Sequence, residues 1–320
     1  MYIHIFSVKL VFSVESLLVF VLPKPFTTSK MKRREFIKSA PGGAIGMESL
    51  KDLYKWNEQQ ATQDGLMPML FVGHGSPMNG IENNEFSQNW KQFGKDIPVP
   101  AAVLVVSAHW FIPATKVTAM PKPPTIHDFG GFPQALFDVQ YPAPGSLTVA
   151  KETAALVHKT QVGLDHEWGL DHGTWTVVRH MYPTANIPVL QLSIDYTKPP
   201  RYHYELAKEL AALRKKGVLI IGSGNMVHNL RILNWQWNDK GYDWAIEMND
   251  TFKSLISTNN HAALINYEGL GQAAKLSIPT PEHYLPLLYI LGLKEEKEKV
   301  GFFNDKTLMG SISMTSVKVG

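Results

Sequence analysis

The chain has 320 residues, enough for one large domain or two small ones at about 100–200 residues each. Hydrophobic residues make up 44% and charged residues 18%, a balance that supports a sizeable buried core and argues against disorder. The first 40 residues hold seven basic and two acidic side chains, leaving 24 basic against 26 acidic in the rest, so the body of the protein offers no basic surface for nucleic acid. Cysteine is absent, which excludes disulfides, thiolate zinc sites, iron–sulfur clusters and a Cys nucleophile. Any metal must be held by His, Asp or Glu, and there are 12 histidines.

Residues 1–61 are read as an N-terminal extension outside the fold, and residues 62–320 as a single domain. The apolar run from Leu10 to Leu22 is broken by Ser13, Glu15 and Ser16, and no stretch reaches the roughly 20 apolar residues of a membrane span. The segment Lys32-Arg33-Arg34-Glu35-Phe36-Ile37-Lys38 resembles a twin-arginine export signal, with Met31 as an alternative start. The stretch after it, Ser39 to Met47, is short, contains Pro41, Gly42 and Gly43, and lacks a small-residue cleavage site. The expectation is a cytoplasmic protein, with twin-arginine export to the periplasm as the alternative.

Four apolar, β-branched runs read as buried strands: Met67–Val72, Ala101–Ser107, Ile187–Ile194 and Gly217–Gly222. Helical patterns cover Glu85–Phe93, Ser146–Thr160, Arg201–Lys216 and Tyr242–Ser257. Strands alternating with helices predict an α/β fold with a largely parallel sheet. Ser311–Val319 alternates as an edge strand would. The Pro- and Gly-rich stretch Pro121–Gly145 reads as a long loop, and loops of that length in a compact domain are usually functional.

Ligands in open α/β sheets bind beyond the carboxyl ends of the strands. Three predicted strands end in a histidine: Gly73-His74-Gly75, Ser107-Ala108-His109 and, after Gly222-Ser223-Gly224, His228. A fourth, His283, lies beyond Pro279 and Pro281 at a helix predicted to begin near Glu282. Each alone reads as a structural residue; their convergence on one rim of a thiol-free protein predicts a metal site. His172, beside Asp171, is placed in a loop and suits proton transfer; Asp171 either orients it or caps the next turn. His127, in the long loop, and Ser76, beside His74, are the substrate-binding candidates. The H-E-x-x-H, G-x-S-x-G, phosphate-loop and dinucleotide motifs are all missing.

Seven stretches together resemble the class III extradiol ring-cleavage dioxygenases, in their DOPA 4,5-dioxygenase-like branch. They are Gly73–Asn79, Ser107–Trp110, His127–Pro133, Tyr141–Gly145, Gly169–Trp175, Gly222–Leu230 and Ile278–Tyr289, in family order across about residues 68–292. The resemblance implies a single α/β domain with a mixed, largely parallel central sheet flanked by helices. It implies one divalent metal on His74, His109 and His283, with His228 either a further ligand or a catalytic residue, and His172 as acid/base or substrate contact. The implied substrates are a small catechol and O₂. Fe(II) oxygenases usually carry two His and one carboxylate, whereas here His283 stands where the carboxylate is expected. An all-imidazole set also suits Zn(II), which binds more tightly than Fe(II) but has no redox chemistry. Zinc is therefore expected as the bound metal and Fe(II) for activity. The alternatives are a zinc hydrolase using the same cluster, or a non-catalytic metal-binding protein.

Overall fold

The chain is described by a computed structural model over residues 65–320. The N-terminal extension at residues 1–61, its apolar run and its twin-arginine-like segment lie outside the described residues. The strands are β1 (Met69–Gly73), β2 (Ala102–Ile112), β3 (Lys116–Thr118), β4 (Gly163–Asp165), β5 (Val189–Asp195), β6 (Val218–Gly224), β7 (Val300–Phe303), β8 (Thr307–Leu308), β9 (Ile312–Ser313) and β10 (Ser316–Val319). The α-helices are α1 (Glu85–Asp96), α2 (Gln134–Phe137), α3 (Leu147–Leu156), α4 (His172–Met181), α5 (Pro200–Glu209), α6 (Ala211–Lys215), α7 (Asp243–Ser257), α8 (His261–Ile265), α9 (Gln272–Ser277) and α10 (Leu285–Leu293).

Eight strands form one mixed sheet in the order β4-β3-β5-β2-β6-β1-β10-β7. Its centre, β5-β2-β6-β1, is parallel throughout, and antiparallel pairs appear only towards its two edges. The central strands are buried on both faces, as an apolar run without alternation requires. Period two divides their side chains between two cores. Leu104, Val106 and Ile220 face α5, α7 and α10, while Val103, Val105 and Ile221 face α1 and α4. Helix α10 is apolar on every side and every one of its residues is buried, as expected of a helix enclosed by its neighbours.

All four expected strands are present as β1, β2, β5 and β6. The expected edge strand at Ser311–Val319 is corrected. Its first part, β9, pairs with β8 in a separate ribbon, and its second part, β10, lies inside the main sheet between β1 and β7. The earlier strand β7 is the true edge, because it covers the outer side of β10. The expected helix at Arg201–Lys216 is divided at Leu210 into α5 and α6. Among the described residues, no helix is long and apolar enough to cross a membrane.

Candidate active site

Three adjacent strands, β2, β6 and β1, end at the same level of the sheet. Ser107 of β2 pairs with Ser223 of β6, which in turn pairs with Val72 of β1. His74 comes directly after β1, and its backbone N–H prolongs the ladder to the Gly224 carbonyl at 3.2 Å. His109 lies inside β2, past the predicted end of that strand. The pairing of β2 with β5 shifts register between Val106 and Phe111, so that five steps along β2 match two along β5. Such a bulge redirects side chains locally, and here it turns His109 inward.

The rings of His74, His109, His172, His228 and His283 come together at this rim. Ring centroids are 5.0 Å apart for His74 and His109, 3.9 Å for His109 and His172, and 5.4 Å for His74 and His283. His228 stacks on His283 at 3.5 Å with nearly parallel planes. Donor atoms of His74, His109 and His172 all lie within 4.8 Å of one another, as do those of His228, Glu282 and His283.

The sequence predicts a loop at His172, but this residue is the first of α4. Asp171 is the N-cap, accepting from the Thr174 N–H at 3.1 Å and holding Ser107 Oγ and Gln191 Nε2. Of its two expected roles, capping is the one made. Burial and the nearby Asp128 charge push the Asp171 carboxyl up to about 6. A Cβ at Gly173 would stand 2.7 Å from Ser107 Oγ and 2.9 Å from His109 Cδ2, so glycine is what lets α4 begin against the ring.

The residue that orients His172 is Asp128, a neighbour of the expected contact His127 and not itself predicted. Asp128 Oδ1 lies 3.0 Å from His172 Nδ1 and Oδ2 lies 3.2 Å from His109 Nδ1. Burial opposes its charge, yet the hydrogen bond from His172 and the two neighbouring imidazoles hold its carboxyl at about 2. His127 instead bonds the Val139 carbonyl through Nε2 at 3.0 Å, and Phe129 touches both His127 and His172. Ser76 Oγ accepts from the Met78 N–H and caps the short turn Pro77–Gly80. The signal for Asp128 was its place in the loop motif His127-Asp128-Phe129-Gly130-Gly131-Phe132-Pro133.

The partners of the ring nitrogens favour particular tautomers. Ser223 Oγ donates its one proton to the Gly173 carbonyl at 2.5 Å, so at 3.0 Å it accepts from His74 Nδ1–H. An ionised Asp128 only accepts, and its Oδ2 beside His109 Nδ1 at 3.2 Å favours the proton of that ring on Nδ1 as well. The Nε2 atoms of His74 and His109 face each other at 3.1 Å, and with both ring protons on Nδ1 each presents a lone pair to the other. Burial, reinforced by the neighbouring histidines, holds His74 and His283 well below the ordinary imidazole value; His109 is brought to about 3 and His228 to about 4. Facing lone pairs on neutral, buried imidazoles are repulsive unless a cation lies near both, and neutral imidazole is the form that ligates. With carboxylates behind the rings, at Asp128 and at Glu282 (3.4 Å from His283 Nδ1), the residues fit a single divalent metal.

Residues 68–319 match the family described as the catalytic LigB subunit of aromatic ring-opening dioxygenase, and the chain belongs to that family. It is an extradiol ring-cleavage dioxygenase of the DOPA-dioxygenase-like branch. It is 49% identical over 258 residues to a 4,5-DOPA dioxygenase extradiol of Escherichia coli, covering 79% of this chain and 95% of that protein. To the protein of the same description from Beta vulgaris it is 33% identical, covering 80% and 98%. A crystal structure of an uncharacterized protein from Escherichia coli K12 superposes with a TM-score of 0.70 at 44% identity, covering 79% of this chain and all of that one.

Proposed function

We propose that the protein opens the ring of a small catechol beside its diol, using O₂ and one divalent metal held by His74, His109 and His283. Fe(II) is the metal of the active form, and Zn(II) is a tight-binding substitute. The observation that carries this reading is the convergence of ring nitrogens on one rim, with His74 Nε2 and His109 Nε2 facing each other at 3.1 Å. When bound, the metal supplies chelation of the two diol oxygens, which acidifies them, and a route for electrons to O₂ that no side chain offers.

The protein's own groups handle position and protons. His172 is tied through Nδ1 to Asp128, which leaves Nε2 to accept a proton from a substrate hydroxyl. His228, stacked on His283, is the second proton carrier or a further ligand. Phe129 meets the His172 ring edge-on at 5.5 Å and keeps water from that side. The descriptions of the relatives support a DOPA-like catechol as substrate.

The full chain, stripped of metal and reloaded without air with Fe(II) or Zn(II), is then given L-DOPA or caffeate under air. The expected result is a yellow product with equimolar oxygen uptake in the Fe(II) sample alone, and no reaction for His74→Ala. Hydrolysis of esters or amides by the zinc form, with no oxygen uptake on any catechol, would overturn the proposal in favour of a zinc hydrolase.

A further inference from the structure

We propose that Asp128 is a positioning residue that ties a metal-holding imidazole, His109, to the proton-carrying imidazole, His172, through one carboxylate. This rests on the proposed function, in which His109 holds the metal and His172 carries the proton.

The geometry is that of a bridge. Oδ1 accepts from His172 twice, from the ring Nδ1 at 3.0 Å and from the backbone N–H at 2.9 Å. Oδ2 faces His109 Nδ1 at 3.2 Å. The carboxylate is mostly covered, its side chain 18% exposed, so water competes weakly for these contacts. A carboxylate cannot donate, so the bond to His172 requires hydrogen on its Nδ1 and a bare Nε2, and the contact with His109 Nδ1 favours the same tautomer there. One group thus sets two tautomers and two ring orientations at once.

The segment bearing Asp128 is held in place on both sides. The Ile126 N–H bonds the Leu170 carbonyl at 2.7 Å, and Trp175 Nε1 donates to the Ile126 carbonyl at 2.9 Å. On the other side, Phe129 packs on Phe132, Phe137 and Trp175. Asp128 is therefore a fixed support for the rings, placed there by a loop 44 residues before His172 in sequence. Outer carboxylates of this kind typically change metal affinity or activity about 10–100-fold when removed.

Asp128→Asn separates positioning from mere packing. Asparagine keeps the shape, but its oxygen accepts from one ring while its NH₂ confronts the Nδ1–H of the other. The expected result, in full-length protein, is zinc affinity about 10–100-fold weaker by chelator competition. For the Fe(II) form, kcat on a catechol is expected to fall while KM changes little. Nitrogen NMR of zinc-loaded wild type, labelled at histidine, gives a second readout that needs no variant, and it should show His109 and His172 both protonated at Nδ1. Zinc affinity unchanged in Asp128→Asn, or either wild-type ring protonated at Nε2, would overturn the inference. If wild-type protein cleaves no catechol, the proposed function falls, while zinc affinity and tautomers still decide the role of Asp128.

Discussion

Ser223 shows how much one proton decides at the rim of this sheet. Its hydroxyl gives that proton to the Gly173 carbonyl and so can only accept from His74, which leaves His74 Nε2 bare. Ser223→Ala is expected to weaken zinc binding about 10-fold, because the His74 ring loses the partner that holds its tautomer. Chelator competition measures this. Circular dichroism of the variant should match wild type, since the neighbouring Gly222 and Gly224 remain in the ladder. At this scale the histidines were legible because strand ends and glycines mark them in the sequence. Asp128 and Ser223 were not, because a hydrogen-bond partner is chosen in space: Ser223 lies 149 residues from His74.

At the scale of elements, the packing of α5 against α10 buries a histidine outside the active site. His203 is fully buried, with Nδ1 3.0 Å from the Tyr289 hydroxyl, and burial brings it down to about 4. Between about pH 6.5 and pH 4 the unfolded chain binds a proton there that the fold refuses, so this residue destabilises the protein as pH falls through that window. The effect at the acid end is about 3 kcal/mol. His203→Asn is expected to lose less stability than wild type between pH 7 and pH 4.5, as measured by urea unfolding of metal-free protein at each pH. The strand runs were readable because burial on both faces leaves no polar residue to interrupt them. Helix α4 was not, because its opening residues, His172-Gly173-Thr174-Trp175, carry no amphipathic stripe and are buried on nearly all sides. The bulge in β2 was equally hidden, since it appears only as a mismatch with β5.

For the whole molecule, Arg214 joins distant parts of the chain at the end of the sheet where β1 and β6 begin. It is 1% exposed, donates to the Met67 and Leu293 carbonyls, and pairs with Glu298. The start of β1, the end of α10 and the approach to β7 are thereby clamped together. Arg214→Met is expected to cost about 3–5 kcal/mol, because two carbonyls and a carboxylate lose their buried partner. A thermal melt of the zinc-loaded protein tests this, with Glu298→Gln falling less, since its amide oxygen still accepts from the guanidinium.

The amino-acid sequence by itself determined the α/β class, the central strands and the histidines that gather at their ends, because apolar runs and strand-end glycines are local signals. The tertiary structure alone decided which groups stand behind those rings, where β10 sits in the sheet and how β2 bends to turn His109 inward. Proton positions, register and neighbouring strands are set by contacts between residues far apart in the chain, and no local pattern records them.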